Sequence, residues 1–147
     1  MRVRVPFAAA LAACLVAPLL ADDKKNEADL KALVSKWSVE KSELGGKDIT
    51  DFLKVLKFEI RENGAYTAQH GEQKDEGAFT VDVSKTPKEM DIKGTGGPNK
   101  GKTIKAIYKL DGDALVICYA FDAGERPTKF ESKDGTTHLL TTYKRVK

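Results

Sequence analysis

From Trp37 to Arg145 the chain is a succession of short runs rich in β-branched and aromatic residues, each closed off by glycine, asparagine, aspartate or proline. That punctuation leaves little room for long helices and predicts strand after strand. The runs are Trp37 to Glu43, Leu53 to Arg61, Ala65 to Gln69, Gly77 to Val83, Glu89 to Lys93, Thr103 to Leu110, Ala114 to Ala120 and His138 to Arg145. Asn63-Gly64 marks a hairpin, because a type I′ turn needs positive φ at both central residues and this pair supplies it cheaply. Asp111-Gly112-Asp113 marks a second tight turn. Ile104, Ala106, Tyr108 and Leu110 alternate with Lys105 and Lys109, with Ile107 the exception on the outer side. Such a period-two pattern buries one face and wets the other. Eight short antiparallel strands of this kind leave exposed edges unless the sheet closes. The expected fold is therefore mainly β, an eight-stranded antiparallel barrel rather than a sandwich. One short helix precedes it, where Leu30, Leu33, Val34 and Trp37 recur at helical spacing after a possible Asn26 cap.

The N-terminus has a different character. Arg2 and Arg4 form a short positive segment, Phe7 to Leu20 is almost purely apolar, and charge returns abruptly at Asp22. An apolar run this short falls below the roughly 20 residues a comfortable membrane span needs, so it reads as a cleaved signal peptide and not as an anchor. Pro18 breaks the run and Ala21 supplies the small residue before the cut, which places cleavage at Ala21/Asp22. Leu11-Ala12-Ala13-Cys14 also reads as a lipobox, whose processing would instead cut before Cys14 and lipidate it. The expected organisation is a signal peptide over 1–21, a polar leader over 22–29 and one domain over 30–147, exported to the periplasm or the exterior. Removing residues 1–21 takes two of the 25 Lys and Arg and none of the 22 Asp and Glu, leaving 23 against 22. A near-neutral domain lacks the clustered cationic excess that a nucleic-acid face requires. Cleavage also leaves Cys118 as a single thiol in an apolar run, read as a small buried hydrophobe.

An ordered set of residues carries a resemblance. Trp37 opening the first strand, Pro87-Lys88-Glu89-Met90-Asp91-Ile92, the glycine-rich Gly96 to Thr103, Ile107 to Leu115, Cys118, Arg126-Pro127 and Arg145 together resemble a family of small exported domains of unknown function. That family is abundant in planctomycete bacteria and is regarded as lipocalin-like. The resemblance spans roughly Leu30 to Arg145 and implies a fold, not an activity. It also implies that Arg145 stacks on the Trp37 indole and closes the barrel base, a cation–π contact of roughly 0.5–2 kcal/mol. The glycine of the usual Gly-x-Trp is absent, since Ser35-Lys36 precedes Trp37.

Gly96-Gly97-Pro98-Asn99-Lys100-Gly101-Lys102-Thr103 matches the nucleotide-binding pattern G-x-x-x-x-G-K-T at every specified position. Its chemistry requires the loop to open a helix whose N-terminal amides hold phosphate. A period-two strand follows Thr103, so the stretch is expected to be a mobile inter-strand loop. His70 and His138, the only two histidines, have no cysteine or carboxylate at metal-ligand spacing beside them and are expected at water-facing or capping positions. Glu72, Asp75 and Glu76, interleaved with Lys74, read as a solvated face and not as an acid/base pair. No catalytic residue, metal ligand or cofactor is expected, and no enzyme.

A monomeric binding module is the remaining expectation, with a small apolar ligand in the barrel interior as its partner. The inward phase of the strands offers Phe58, Ile60, Tyr66, Phe79, Val81, Tyr108, Ile117 and Tyr119 as lining. Eight strands enclose little more than their own side chains, so the same residues could equally form a filled core. A non-enzymatic structural or interaction module of the cell envelope is the alternative.

Overall fold

The computed structural model describes residues 17–147. Helix α1 (Ala17–Leu33) leads into β1 (Ser35–Leu44), which is followed by the two-residue β2 (Lys47–Asp48) and the single turn of α2 (Thr50–Leu53). Seven further strands complete the chain: β3 (Lys57–Ile60), β4 (Ala65–His70), β5 (Gln73–Asp82), β6 (Lys88–Gly96), β7 (Thr103–Asp111), β8 (Ala114–Ala120) and β9 (His138–Arg145). Each pairs antiparallel with the next from β3 to β9, and β1 pairs with both β3 and β9. The sheet thus closes into an eight-stranded antiparallel barrel, with β2 appended to the end of β1.

Turn chemistry sets the connections. Asn63 has φ 62° and ψ 24°, Gly64 has φ 77°, and the Ala65 amide bonds the Glu62 carbonyl, the geometry of a type I′ turn between β3 and β4. A Cβ on Gly64 would also lie 2.2 Å from the Phe79 carbonyl oxygen, so a glycine is needed there twice over. Gly112, at φ 58°, opens the two-residue hairpin between β7 and β8.

Four local readings change. Asn26 is no cap, because α1 begins well before it; its side-chain oxygen instead accepts the Val83 amide at 2.9 Å. The polar leader is helical and attached to the barrel, since Asp29 accepts hydrogen bonds from Tyr108 and Lys88, both at 2.8 Å. Leu53 to Arg61 is not one strand. Asp48 accepts the Thr50 amide and starts α2, so only Lys57–Ile60 remains extended. On β5 the strand reaches back to Gln73, beyond the Gly77 start read from the sequence. The apolar run through Leu20, with Arg2, Arg4 and Cys14, falls on residues whose side chains lie outside the described ones, and Ala21/Asp22 falls within the span of α1.

A register shift lies in β1, where Val39 pairs with Tyr143 but Lys41 pairs with Thr142. The extra residue, Glu40, reverses the alternation, so the inward series runs Trp37, Val39, Ser42. Outside the barrel, the segment from Phe121 to Thr137 covers β6 to β8. Arg126 donates to the carbonyls of Met90 and Ala106 and pairs with Glu89 and Asp91. Cys118 donates to the Glu131 carbonyl. This cover explains why Ile107 and Cys118, cross-strand partners on the outer face, are both buried.

Candidate functional site

The barrel has two unlike ends. At the first, β1 begins, β9 ends and α1 crosses the opening. Trp37, 1% exposed, donates its indole N–H to the Leu33 carbonyl at 3.0 Å. The Arg145 guanidinium carbon lies 4.5 Å from the Trp37 ring centroid, and its nitrogens reach the carbonyls of Ala32, Val34 and Gly112 and the Asp113 carboxylate. Leu33, Ile60, Val81 and Tyr108 belong to the same buried cluster as the indole. The Tyr108 phenol is pushed up by burial first, and then by its hydrogen bond to Asp29, so it stays a donor.

At the second end a cavity of about 130 Å³ remains. Strand positions Phe58, Tyr66, Phe79, Met90, Ile92, Ile104, Ile117 and Tyr119 form its wall, and Leu53 and Leu56 close over it from α2 and the residues after it. Of the eight residues read as lining, five therefore meet here: Phe58, Tyr66, Phe79, Ile117 and Tyr119. Ile60, Val81 and Tyr108 do point inward, but into the packed core at the helix-covered end.

Several lining residues were absent from that reading. Asp75 lies at the rim, where it accepts hydrogen bonds from the Tyr66 hydroxyl at 3.3 Å and from the Asn99 side chain at 3.1 Å. It is part of the site and not of a solvated face. Its phase on β5 matches Phe79 and Val81, and strict counting by twos places it inward; its charge argued the other way. Tyr143 lines the cavity from β9 and meets the Tyr119 hydroxyl at 2.7 Å. Both phenols are held neutral by burial above all, Tyr143 being pushed up to about 12 and Tyr119 well above its ordinary value. Leu53 comes from outside the regular inward series, whereas Leu56, Phe121 and Leu139 continue the inward phases of Phe58 and Ile60, of Ile117 and Tyr119, and of Thr141 and Tyr143.

The nucleotide-loop pattern dissolves in the structure. Thr103 opens β7 and no helix follows. Several of the loop's amides are already committed: Gly94 donates to the Lys102 carbonyl, Gly101 to Gly94, Lys100 to Gly97, Lys102 to Asn99, and Asn99 to the Asp75 carboxylate. It is a tied loop folded back on Gly94, contrary to the mobile loop expected. His70 also departs from expectation. Its ring stacks on Phe52 at 4.5 Å and its Nε2 lies 2.8 Å from the Phe52 carbonyl, which fastens α2 to the end of β4. Among the described residues no three His, Cys, Asp or Glu side chains gather as metal ligands. Cys118 is buried, and its thiol is pushed up to about 11, chiefly by that burial.

No family model matches the chain, and no curated protein or solved structure does so either.

Proposed function

We propose that this chain is an exported, lipocalin-like, monomeric domain that binds one small apolar ligand at the open end of its barrel. The observation that carries the reading is the cavity itself. Protein interiors are close-packed, and voids that would hold more than a water or two are few. Here one lies at one end of the barrel, lined mostly by aromatic and aliphatic side chains. Concave, mostly apolar sites with a few placed polar groups are the usual form of small-molecule sites. At about 130 Å³ the space is near the roughly 150 Å³ of an apolar cavity that admits benzene, and well below the ~300 Å³ at which drug-sized sites begin. The occupant is accordingly small, or only the end of a longer molecule enters.

The test is native mass spectrometry of the protein purified from its own envelope, followed by organic extraction and titration with a small fluorescent apolar probe. A co-purifying molecule displaced one-to-one is expected. Ala68→Phe, which adds a ring at the cavity wall, should remove probe binding while costing no more than about 1–3 kcal/mol of stability. A protein that arrives empty, ignores the probe and is indifferent to Ala68→Phe defeats the reading and favours an envelope interaction module. The same mass measurement separates cleavage after Ala21 from lipidation at Cys14.

A further inference from the structure

We infer that the ligand is a neutral molecule carrying a hydrogen-bond acceptor, which takes a proton that the buried hydroxyls of the cavity wall cannot place among themselves. The inference rests on the ligand-binding reading above and sharpens it.

Proton counting carries it. Tyr119 is 8% exposed and Tyr143 3%, and their hydroxyls lie 2.7 Å apart. Two phenols that share one hydrogen bond use one of their two protons in it. Thr141 and Ser42, both fully buried, form a separate pair of hydroxyls 2.7 Å apart. Among the described residues neither phenol makes a further hydrogen bond. One phenol O–H of the Tyr119 and Tyr143 pair is therefore left over. A buried donor without an acceptor costs roughly 1–3 kcal/mol, so whatever supplies an acceptor is favoured by its relief. Tyr119 and Tyr143 border the cavity, whereas Thr141 and Ser42 do not. With an acceptor there, both phenols can donate, one to its neighbour and one into the cavity.

Charge narrows the class further. The lining holds no Lys, Arg or His, and its one ionisable group besides the tyrosines is the Asp75 carboxylate at the rim. A carboxylate ligand would enter without a counter-charge and pass a like charge, both unfavourable in an apolar cavity. A ketone, aldehyde, ester or ether fits; a fatty-acid head group does not.

Three probes of nearly equal shape test this: acetophenone, α-methylstyrene, in which the carbonyl oxygen becomes a methylene, and benzoate, in which an oxygen anion replaces the methyl. Dissociation constants are measured by calorimetry for the wild-type protein and for Y119F/Y143F. The preference for acetophenone over α-methylstyrene should fall about tenfold in the double variant, with α-methylstyrene still bound. Benzoate should bind the wild type at least tenfold more weakly than acetophenone. An unchanged preference in the double variant, or benzoate binding as tightly as acetophenone, overturns the acceptor assignment while leaving the apolar site standing. Failure of both neutral probes to bind the wild type overturns the site and the assignment together. Should the double variant not fold, the wild-type ranking of acetophenone over benzoate decides.

Discussion

The two ends of the barrel are built from the same strands yet differ in what stops them. At the helix-covered end a large indole lies between a guanidinium and the end of α1, and its N–H has a fixed backbone partner. At the other end a cavity remains, α2 supplies only one turn of cover, and β1 leaves its seam with β3 after three residue pairs. One end of the sheet is filled by the indole and its neighbours, and the other keeps a cavity among equally buried side chains.

Substitutions can break or sharpen that contrast. Trp37→Ala should have the largest effect, about 3–5 kcal/mol by urea denaturation, because it removes a fully buried ring and the platform under Arg145. A loss below about 1 kcal/mol would mean that the helix-covered end is not where the stability lies. Alkaline pH should act next, and not at one end alone, since the Tyr108 phenol under α1 is raised as well. The phenols of Tyr119 and Tyr143 and the Cys118 thiol are raised in the folded state, Tyr143 to about 12 and Cys118 to about 11, mainly by burial. The unfolded chain gives up these protons first, from about pH 9 for the thiol and about pH 10 for the phenols. Stability from these groups is thus complete below pH 9 and is lost as pH rises toward 12, by roughly 2 kcal/mol for one phenol. Urea midpoints should be level between pH 7 and 9 and fall above 10. Tyr143→Phe should flatten the upper part of the fall and Cys118→Ala its onset; an undiminished fall in both variants would place the titration elsewhere. Smallest of all should be Phe52→Ser, on the exposed side of α2, where the change stays within about 0.5 kcal/mol, allowing for the lost stack on His70. A cost above 2 kcal/mol would show that α2 is a structural plug, which would erase the distinction between the ends.

The same contrast explains what could be read in the chain before folding. Alternation assigned the inward face of β3, β4, β5, β7 and β8 correctly, since a strand side chain has only two directions to take. It says nothing about height along the barrel axis. Phe58 and Ile60 share a face, yet one borders the cavity and the other lies in the solid core. Height depends on strand tilt and register, which are set by pairing between distant segments. The open end was harder still, because part of its cover comes from a single helical turn, where Leu53 has no strand period to follow. Asp75 and Asn99 were passed over for their polarity, and Glu40 hides the bulge that turns Ser42 inward. The sites most visible in sequence, the glycine-rich loop and His70, turned out to bind backbone groups of the chain itself.

Closure of one end by α1 makes the barrel a blind passage, and that has a kinetic consequence. Any guest must leave by the route it entered. A substitution confined to the rim, touching the guest only in transit, alters the height of a single shared barrier, and so multiplies kon and koff by one factor and cancels in Kd. Residence time at such a site can be set at the doorway, independently of the affinity set by the walls.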